Sequence, residues 1–224
     1  KLIYSVDVRQ QLHLRQAFAI AKLAWPELTE WVEFFHAFNG FIKLKEGAMS
    51  TRHGTVIFLE ALITEWNERT AKILEEKGRT GDKALDPEDI QAITIAAIKY
   101  SYLAQDREKD VVFDWDKALS FEGNSGPYIQ YAYVRASKIV ASDNTRSSVD
   151  PSDIPELPLS TYDKSLIQKL SDFESVIETT AKTYKPHHIA LYAYDLAVVF
   201  NSFYVHTPKI LEESDIILRD FRLS

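Results

Sequence analysis

The stretch Gly126–Val140 reads GPYIQYAYVRASKIV and sets the architecture of the second half of the chain. Gly126-Pro127 is a break signal, and the residues after it predict a helix with two different faces. One face is polar and aromatic and consists of Tyr128, Tyr131, Arg135 and Lys138. The other face is largely apolar and consists of Ile129, Tyr133, Ala136 and Val140. One face can therefore pack into a core while the other remains available to a ligand.

Helical spacing continues on both sides of this stretch. Asp86 is suited to cap a helix that opens with Pro87. The predicted helices cover residues 59–78, 87–103, 128 to about 140, 164–183 and 187–205, with a further one within 211–223. Residues 141–161, rich in Ser, Asp and Pro, predict a long loop. The second half is therefore expected to be an all-α bundle.

The first half opens with the elementary unit of an α/β layer, a strand at Leu2–Val6 and a helix at Gln10–Trp25. Two further short strands, Phe41–Leu44 and Thr55–Phe58, are predicted on either side of a loop. The fold class expected is thus mostly α, with a small α/β piece before the bundle.

A domain boundary is predicted at residues 77–85, which contain two glycines and mixed charges. The two expected domains are 1–80 and 81–224.

Composition limits the classes of function. The chain has 26 Lys and Arg against 33 Asp and Glu, a formal net charge of −7. This sign does not suit a protein that coats phosphates along its whole surface, so any nucleic-acid contact must be local. The absence of cysteine excludes disulfides and thiolate zinc sites and favours the reducing cytoplasm. No apolar run approaches 18 residues, so no membrane partner is expected.

Two other patterns are assigned to structure. His187 and His188 would point about 100° apart on a helix, and the aspartates of residues 110–116 lack the spacing of a calcium loop. We therefore expect no protein-bound metal. Trp66 and Trp115 are predicted to be core anchors.

The loop Ala48–Gly54 reads AMSTRHG and is the first candidate for chemistry. Its small and hydroxyl residues let the backbone approach an anion, and Arg52 can neutralise phosphate oxygens. Spacing alone leaves open an ordinary polar hairpin turn.

Four segments together resemble a known family. Residues 40–57, GFIKLKEGAMSTRHGTVI, resemble the KMSKS-type segment of class I arginyl-tRNA synthetases, and residues 3–13 resemble the strand and helix before it. Residues 113–132, FDWDKALSFEGNSGPYIQYA, resemble the entry to the anticodon-binding domain, and residues 185–204 resemble a late helix of that domain. The resemblance implies a C-terminal portion of such an enzyme: the end of a Rossmann-type catalytic domain and a helical anticodon-binding domain.

The resemblance also implies roles for particular residues. In class I synthetases the loop stabilises the pyrophosphate of ATP, a catalytic role that falls here on Ser50, Thr51 and Arg52. The implied contacts to ATP are His36, Gly40 and Met49, that to arginine is Gln10, and those to tRNA are Tyr128, Tyr131, Arg135, Lys138, Asn201 and Tyr204. The implied partners are ATP accompanied by Mg²⁺, arginine and an arginine-accepting tRNA, for a protein expected to be a monomer.

A physical argument supports the tRNA face. Tyrosine rings stack on unpaired bases with roughly 1 to 3 kcal/mol per base, and neighbouring cations can hold phosphates. The alternatives are that Tyr128 and Tyr131 are buried with satisfied hydroxyls, and that Asn201 and Tyr204 form a polar cap on the bundle.

The chain departs from the family pattern in the loop and before it. Ala48 and Thr51 stand where lysines are usual, so Arg52 is the only strong cation of the loop. Asn39 stands where an aromatic residue usually precedes the glycine. The HIGH-type motif is missing, since no His-x-Gly-His occurs.

The function expected is that of an arginine-tRNA ligase in the full-length protein, with this fragment inactive by itself. The second reading is a catalytically inactive tRNA-binding module. The third is an unrelated helical scaffold.

Overall fold

The computed structural model describes residues 1–40, 42–44, 59–76, 86–142 and 157–223. They form a mostly helical protein with small parallel sheets, as the sequence predicts. The strands are β1 Leu2–Tyr4, β2 Phe34–His36, β3 Ile42–Leu44 and β4 Val111–Phe113. The helices are α1 Gln11–Ala24, α2 Pro26–Thr29, α3 Leu59–Glu76, α4 Pro87–Leu103, α5 Trp115–Ala118, α6 Gly126–Ala141, α7 Thr161–Ser171, α8 Phe173–Thr183, α9 His187–His206 and α10 Ile216–Leu223.

Each described sheet has two parallel strands. In the first, β1 pairs with β2 and Tyr4 stands opposite His36. In the second, β3 pairs with β4, and Ile42 stands opposite Val111. The strand at β4 was not predicted, and it gives β3 a partner from much later in the chain. The predicted strand Thr55–Phe58 lies outside the described residues.

Helix α1 follows β1 through a single 3-10 turn and packs on β2, so the predicted strand-to-helix unit is confirmed. The Phe18 ring stacks on Phe34 with centroids 4.9 Å apart. The remaining surface of this unit is rich in exposed apolar side chains, among them Leu23 at 83% and Trp31 at 77% exposure.

Helix α4 begins at Pro87, as its predicted cap Asp86 indicates, and α6 begins at Gly126, two residues before its predicted start, with Ser125 as its N-cap. The Asp86 carboxylate accepts from the Glu88 amide at 2.9 Å, and the Ser125 hydroxyl accepts from the Tyr128 amide at 3.2 Å. The two helices pack closely, since a Cβ on Gly126 would lie 2.5 Å from the backbone oxygen of Ala96. Glycine is therefore required at this crossing for steric reasons.

The first core lies under α4 and β4 and confirms both tryptophan predictions. Trp115 is buried, and Trp66 packs against it edge-on with ring centroids 5.9 Å apart. The buried members are Ala97, Ile98, Phe113, Trp115, Ala118 and Leu119. The aspartate at 114 is an N-cap, accepting from the backbone amides of Asp116 and Lys117.

The helix predicted over residues 164–183 is wrong as a single element. The structure has α7 and α8, separated at Asp172. The side-chain amide of Gln168 donates from Nε2 to the Asp172 carboxylate at 3.2 Å. The backbone N–H of Asp172 caps the C-terminal end of α7. Apolar spacing runs through the break without a change of period, so the pattern could not reveal it.

Helix α9 is the central element of the bundle and packs against α6, α7 and α8. Its buried Phe203 joins a second core with Ile210 and Leu223, so the last helix also closes on α9. The apolar face predicted for α6 is only partly covered, because Tyr133 is 72% exposed beside an apolar groove between α6, α7 and α9.

The division into domains stays a prediction. Residues 77–85 lie outside the described residues, and α4 packs on both α3 and α6. 

Substituting Gly126→Ala is expected to destabilise this chain by about 1 to 3 kcal/mol, because the new methyl meets backbone atoms that cannot rotate away. Urea unfolding measures the change. Gly123→Ala is the comparator: its φ of +84° costs about 1 kcal/mol, but nothing lies within 4 Å of the added methyl. Equal stability of wild type and Gly126→Ala would contradict the close packing of α4 on α6.

Candidate functional site

Four of the six predicted tRNA contacts lie together on α6 and α9. Arg135 Nη1 donates to Asn201 Oδ1 at 2.9 Å, and Arg135 Nη2 donates to the Tyr131 hydroxyl at 2.7 Å. The guanidinium carbon lies 4.2 Å from the Tyr131 ring centroid and 4.9 Å from that of Tyr204. We call Tyr131, Arg135, Asn201 and Tyr204 the α6–α9 cluster.

The two rings of the α6–α9 cluster are accessible. Tyr131 is 39% exposed and Tyr204 is 44% exposed. Each ring therefore has a side against Arg135 and a part facing solvent. An arginine between two tyrosines holds them through cation–π contacts, which fixes the rings at little entropic cost to a later ligand.

The charge of Arg135 is not neutralised within the cluster. Its two described hydrogen-bond acceptors are neutral, and no carboxylate in the described part of the chain pairs with it. A guanidinium that keeps its charge beside exposed rings suits a phosphate or a base carbonyl. In a protein of net charge −7, such a site is local, as any nucleic-acid contact of this chain is expected to be.

The other two predicted contacts lie apart from the cluster. Tyr128 is half-buried and its ring lies 5.6 Å from that of Tyr194, so it packs within the bundle. Lys138 is exposed, about one turn beyond Arg135 on α6. A cleft of ≈ 500 Å³ opens beside Tyr204 and is lined by Ile139 and Lys209 among others.

A buried ion pair secures the end of α9 that carries the cluster. Arg222 on α10 donates from Nε to Asp163 Oδ1 at 2.8 Å and from Nη2 to Oδ2 at 3.0 Å. Its Nη1 donates to Glu213 at 3.0 Å. Burial raises the pKa of the Asp163 carboxyl, but the hydrogen bonds from Arg222 and Ser160 outweigh it and hold this pKa below its usual value. The arrangement locks α10 to the start of α7, around the core that contains Phe203.

The residues predicted to contact arginine and adenine lie at one edge of the first sheet. Gln10 is exposed and follows β1, whereas His36 ends β2, and both strands point the same way. In open parallel sheets, ligands bind outside the carboxyl ends of the strands. The structure thus brings Gln10 and the His36–Gly40 segment to the edge where a nucleotide site is expected.

One ring nitrogen of His36 is buried and has no hydrogen-bond partner among the described residues. Its Nε2 lies 3.1 Å from the Val6 carbonyl, which can only accept, so Nε2 bears the proton of the neutral ring. Nδ1 is then an acceptor, and it is buried without a partner among the described residues. A buried polar atom without a partner is costly, which marks His36 as a position that a donor group would stabilise.

The packing of the backbone at position 40 requires glycine. A Cβ there would lie 2.3 Å from the Lys109 carbonyl oxygen, and the Gly40 amide donates to the Arg107 carbonyl at 2.8 Å. The loop residues Met49, Ser50, Thr51 and Arg52 lie outside the described residues.

Residues 1–115 match the family described as tRNA synthetases class I (R), catalytic domain, which is slightly more than half of the chain. The chain belongs to the arginyl-tRNA synthetase family. Residues 129–224 match the DALR anticodon binding domain. The α6–α9 cluster lies within this second range, and Gln10, His36 and Gly40 lie within the first.

Relatives agree along the whole chain. The arginine–tRNA ligase of Clostridium botulinum is 36% identical over 225 residues, and that of Pasteurella multocida is 36% identical over 222. These matches cover 100% and 97% of this chain, which spans 38% of each relative.

Two solved structures of arginyl-tRNA synthetases match this chain over nearly its whole length. The Thermus thermophilus arginyl-tRNA synthetase superposes with a TM-score of 0.78 at 30% identity, covering 99% of this chain and 36% of that one. The Plasmodium falciparum arginyl-tRNA synthetase superposes with a TM-score of 0.71 at 28% identity, covering 99% and 38%.

Within the described ranges, no group of three or more His, Cys, Asp or Glu is arranged to hold a metal ion. None of the described helices has the length and hydropathy needed to cross a bilayer.

Sequence reasoning missed the contacts between the cluster's two helices and a bridging role of Arg107. Arg107 lies in the run Gln105–Asp110, QDREKD, which is typical of a solvated turn. Nothing in that run indicates that its side chain is only 15% exposed.

Substituting Arg222→Met is expected to lower the free energy of unfolding by roughly 3 to 5 kcal/mol at pH 7, because it leaves Asp163 buried without its cation. Since the pKa of folded Asp163 lies below the ordinary 3.8, the pair stabilises fully above that pH and its contribution disappears as the pH falls through the folded pKa. The difference between wild type and variant in urea unfolding should therefore narrow in acid.

The matched control is Lys209→Met, which removes an exposed pair with Glu212 and should cost less than about 1 kcal/mol. If both variants lost a similarly small amount of unfolding free energy, the Arg222 pair would not hold α10 in place.

Proposed function

We propose that this chain is the part of an arginine-tRNA ligase that reads the anticodon and completes the ATP site. The whole enzyme joins arginine to ATP, releasing pyrophosphate, and then passes the arginyl group from the adenylate to the terminal ribose of its tRNA, releasing AMP. The observation that carries the proposal is the α6–α9 cluster, which presents an unneutralised cation between two accessible rings.

The α6–α9 cluster reads unpaired anticodon bases. Tyr131 and Tyr204 each offer a partly exposed ring on which a splayed base stacks. Arg135 supplies a cation beside the stack, and Asn201 supplies an amide that can pair with a base edge. Lys138, exposed about one turn beyond Arg135 on α6, can meet a flanking phosphate, and the cleft beside Tyr204 gives a base room to enter.

Tyr128 has a different part in this proposal. Its packing on Tyr194 supports a role in fixing α6 against α9 instead of direct stacking. Substitution of Tyr128 would then weaken tRNA binding indirectly, through the position of Tyr131 one turn later.

The catalytic contribution lies at the carboxyl edge of the first sheet. Gln10 orients arginine, and His36 and Gly40 border the adenine. The Nδ1 of His36, which has no partner among the described residues, supports a contact with a donor such as the adenine amino group. Met49 contacts ATP, while Ser50, Thr51 and Arg52 stabilise triphosphate charge as it develops, which is electrostatic catalysis. Mg²⁺ belongs to the substrate, as the ion that accompanies ATP. The protein acts in the cytoplasm as a monomer.

The second candidate function is tRNA binding without catalysis by these 224 residues. Two observations favour it for the isolated chain: the sequence has no His-x-Gly-His motif, and large apolar side chains of the first unit, such as Leu23 and Trp31, are exposed. An exposed apolar surface of this kind is typical of a contact with further protein.

Titration of this chain with arginine-accepting tRNA tests the α6–α9 cluster. Tyr131→Ala and Tyr204→Ala are each expected to weaken binding by about 5- to 150-fold, the range that corresponds to loss of one stacked base. Tyr133→Ala on the same helix is the control, because its ring is exposed but belongs to the opposite face. Equal affinity of all three variants and wild type would remove the stacking proposal.

Arg135→Ala separates charge from base reading in the same titration. It should weaken binding and reduce the slope of log K against log salt by roughly one unit, because one cation is lost. Wild type should bind anticodon-substituted tRNA more weakly than matched tRNA. Arg135→Ala should show a smaller difference between the two affinities, because the arginine holds the rings. A salt-sensitive affinity that ignores the anticodon sequence would indicate phosphate contacts alone.

An ATP–pyrophosphate exchange assay separates the two candidate functions. A full-length synthetase that contains this chain should catalyse exchange, and the 224 residues alone should not. In the full-length protein, Arg52→Ala should lower kcat for exchange by roughly 10²- to 10³-fold, the effect of removing one donor to a developing charge. Exchange by the isolated chain would show that its nucleotide site is complete.

A further inference from the structure

Arg107 joins two parts of the chain that belong to different matched domains. Its Nη1 donates to the Phe38 carbonyl at 2.6 Å, and its Nε donates to the Tyr184 carbonyl at 3.0 Å. Phe38 lies in the range matched by the catalytic family, whereas Tyr184 lies in the range matched by the anticodon family. One guanidinium thus holds two backbone carbonyls that are 146 positions apart in sequence.

The surroundings of Arg107 make this bridge rigid. Its side chain is only 15% exposed, and the guanidinium carbon lies 5.2 Å from the Phe38 ring centroid and 5.7 Å from that of Phe35. The Phe35 ring in turn packs on Tyr184, with centroids 4.4 Å apart. The backbone takes part as well, because the Arg107 carbonyl accepts from the Gly40 amide.

A neighbouring ion pair ties the same corner. Lys185 donates to Asp106 at 2.7 Å, and this hydrogen bond lowers the pKa of the Asp106 carboxyl. Tyr184 has the left-handed backbone (φ 56°) that turns the chain from α8 into α9. Residues 106 and 107 therefore hold the N-terminal end of α9 against the segment that follows β2.

Helix α9 continues from this corner to the α6–α9 cluster. From His187 to Tyr204 the helix rises about 26 Å, at 1.5 Å per residue. Its N-terminal end rests on the Arg107 bridge and its C-terminal part carries Asn201 and Tyr204. One continuous helix, packed on α4, α6, α7 and α8, therefore carries the bridge at its N-terminal end and the cluster near its C-terminal end.

We infer that Arg107 is a positioning residue through which tRNA bound at the α6–α9 cluster orients the His36–Gly40 segment for catalysis. The inference rests on the proposed function. Binding energy obtained at the anticodon face is then used at the reacting centre, so it raises kcat and not only affinity. Lysine cannot replace arginine here, because a compact ammonium lacks the planar fork that reaches both carbonyls and stacks on Phe38.

The test uses a full-length synthetase that contains this chain and measures arginylation at saturating tRNA, with matched and anticodon-substituted tRNA. The readout is the ratio of the two kcat values. Wild type should show a ratio of about ten or more, and Arg107→Met should bring it close to one. The dissociation constants for the two tRNAs should keep their wild-type ratio, because the α6–α9 cluster is unchanged.

Three further variants keep the result interpretable. Arg107→Lys retains the charge and should also lose most of the ratio, so it decides the question if Arg107→Met does not fold. Lys185→Met removes the ion pairs with Asp106 and Glu108 but keeps both hydrogen bonds from Arg107 to the carbonyls, so it should lower the ratio less. Lys182→Met, whose exposed side chain pairs with Glu178 on α8, should leave the ratio unchanged.

Three outcomes would overturn the inference: a wild-type ratio near one, a wild-type ratio retained by both Arg107 variants, or a loss of the kcat ratio matched by an equal loss in the ratio of dissociation constants. Failure of the wild-type protein to arginylate any tRNA would instead overturn the proposed function.

Discussion

The packing of α9 against α6, α7 and α8 is the constraint on which the other placements depend. The α6–α9 cluster exists only because Asn201 and Tyr204 on α9 face Arg135 on α6. Phe203, between those two residues in sequence, points instead into the core and is 3% exposed. The alternation follows from helix geometry: residues 201 and 204 share a face, and residue 203 lies on another. Burial of one face thereby fixes the direction of the face that remains accessible.

The polar groups of the bundle divide into two kinds with different energetic roles. Arg222 has its carboxylates, Asp163 and Glu213, and is almost fully buried, so its charge serves the fold. Arg135 has neutral acceptors and two rings and stands at the surface, so its charge is still available. A chain with an excess of seven negative charges can bind a polyanion only through positions of the second kind. The distinction depends on partners, which only the tertiary structure assigns.

Sequence reasoning succeeded where the signal was local. Capping of α4 by Asp86 and the start of α6 near Gly126-Pro127 both follow from residues within one or two turns. It failed where the deciding contact was distant. The strand at β4 forms because Val111 pairs with Ile42, and neither residue carries a sign of the other. The break at Asp172 failed for a different reason, since the apolar spacing of α7 continues into α8.

The same limit applies to the candidate site. The stripe of Tyr131 and Arg135 could be predicted because four residues separate them on one helix. Arg107 could not, because an arginine among five polar or charged neighbours gives no sign of burial. Its position follows from contacts with two distant backbone segments, Phe38–Gly40 and the one at Tyr184. Buried carbonyls at such a meeting point need donors, and one arginine supplies two of them in a fixed geometry. A residue of this kind is invisible to pattern analysis and becomes evident only when the hydrogen-bond partners of the backbone are followed across the domain junction.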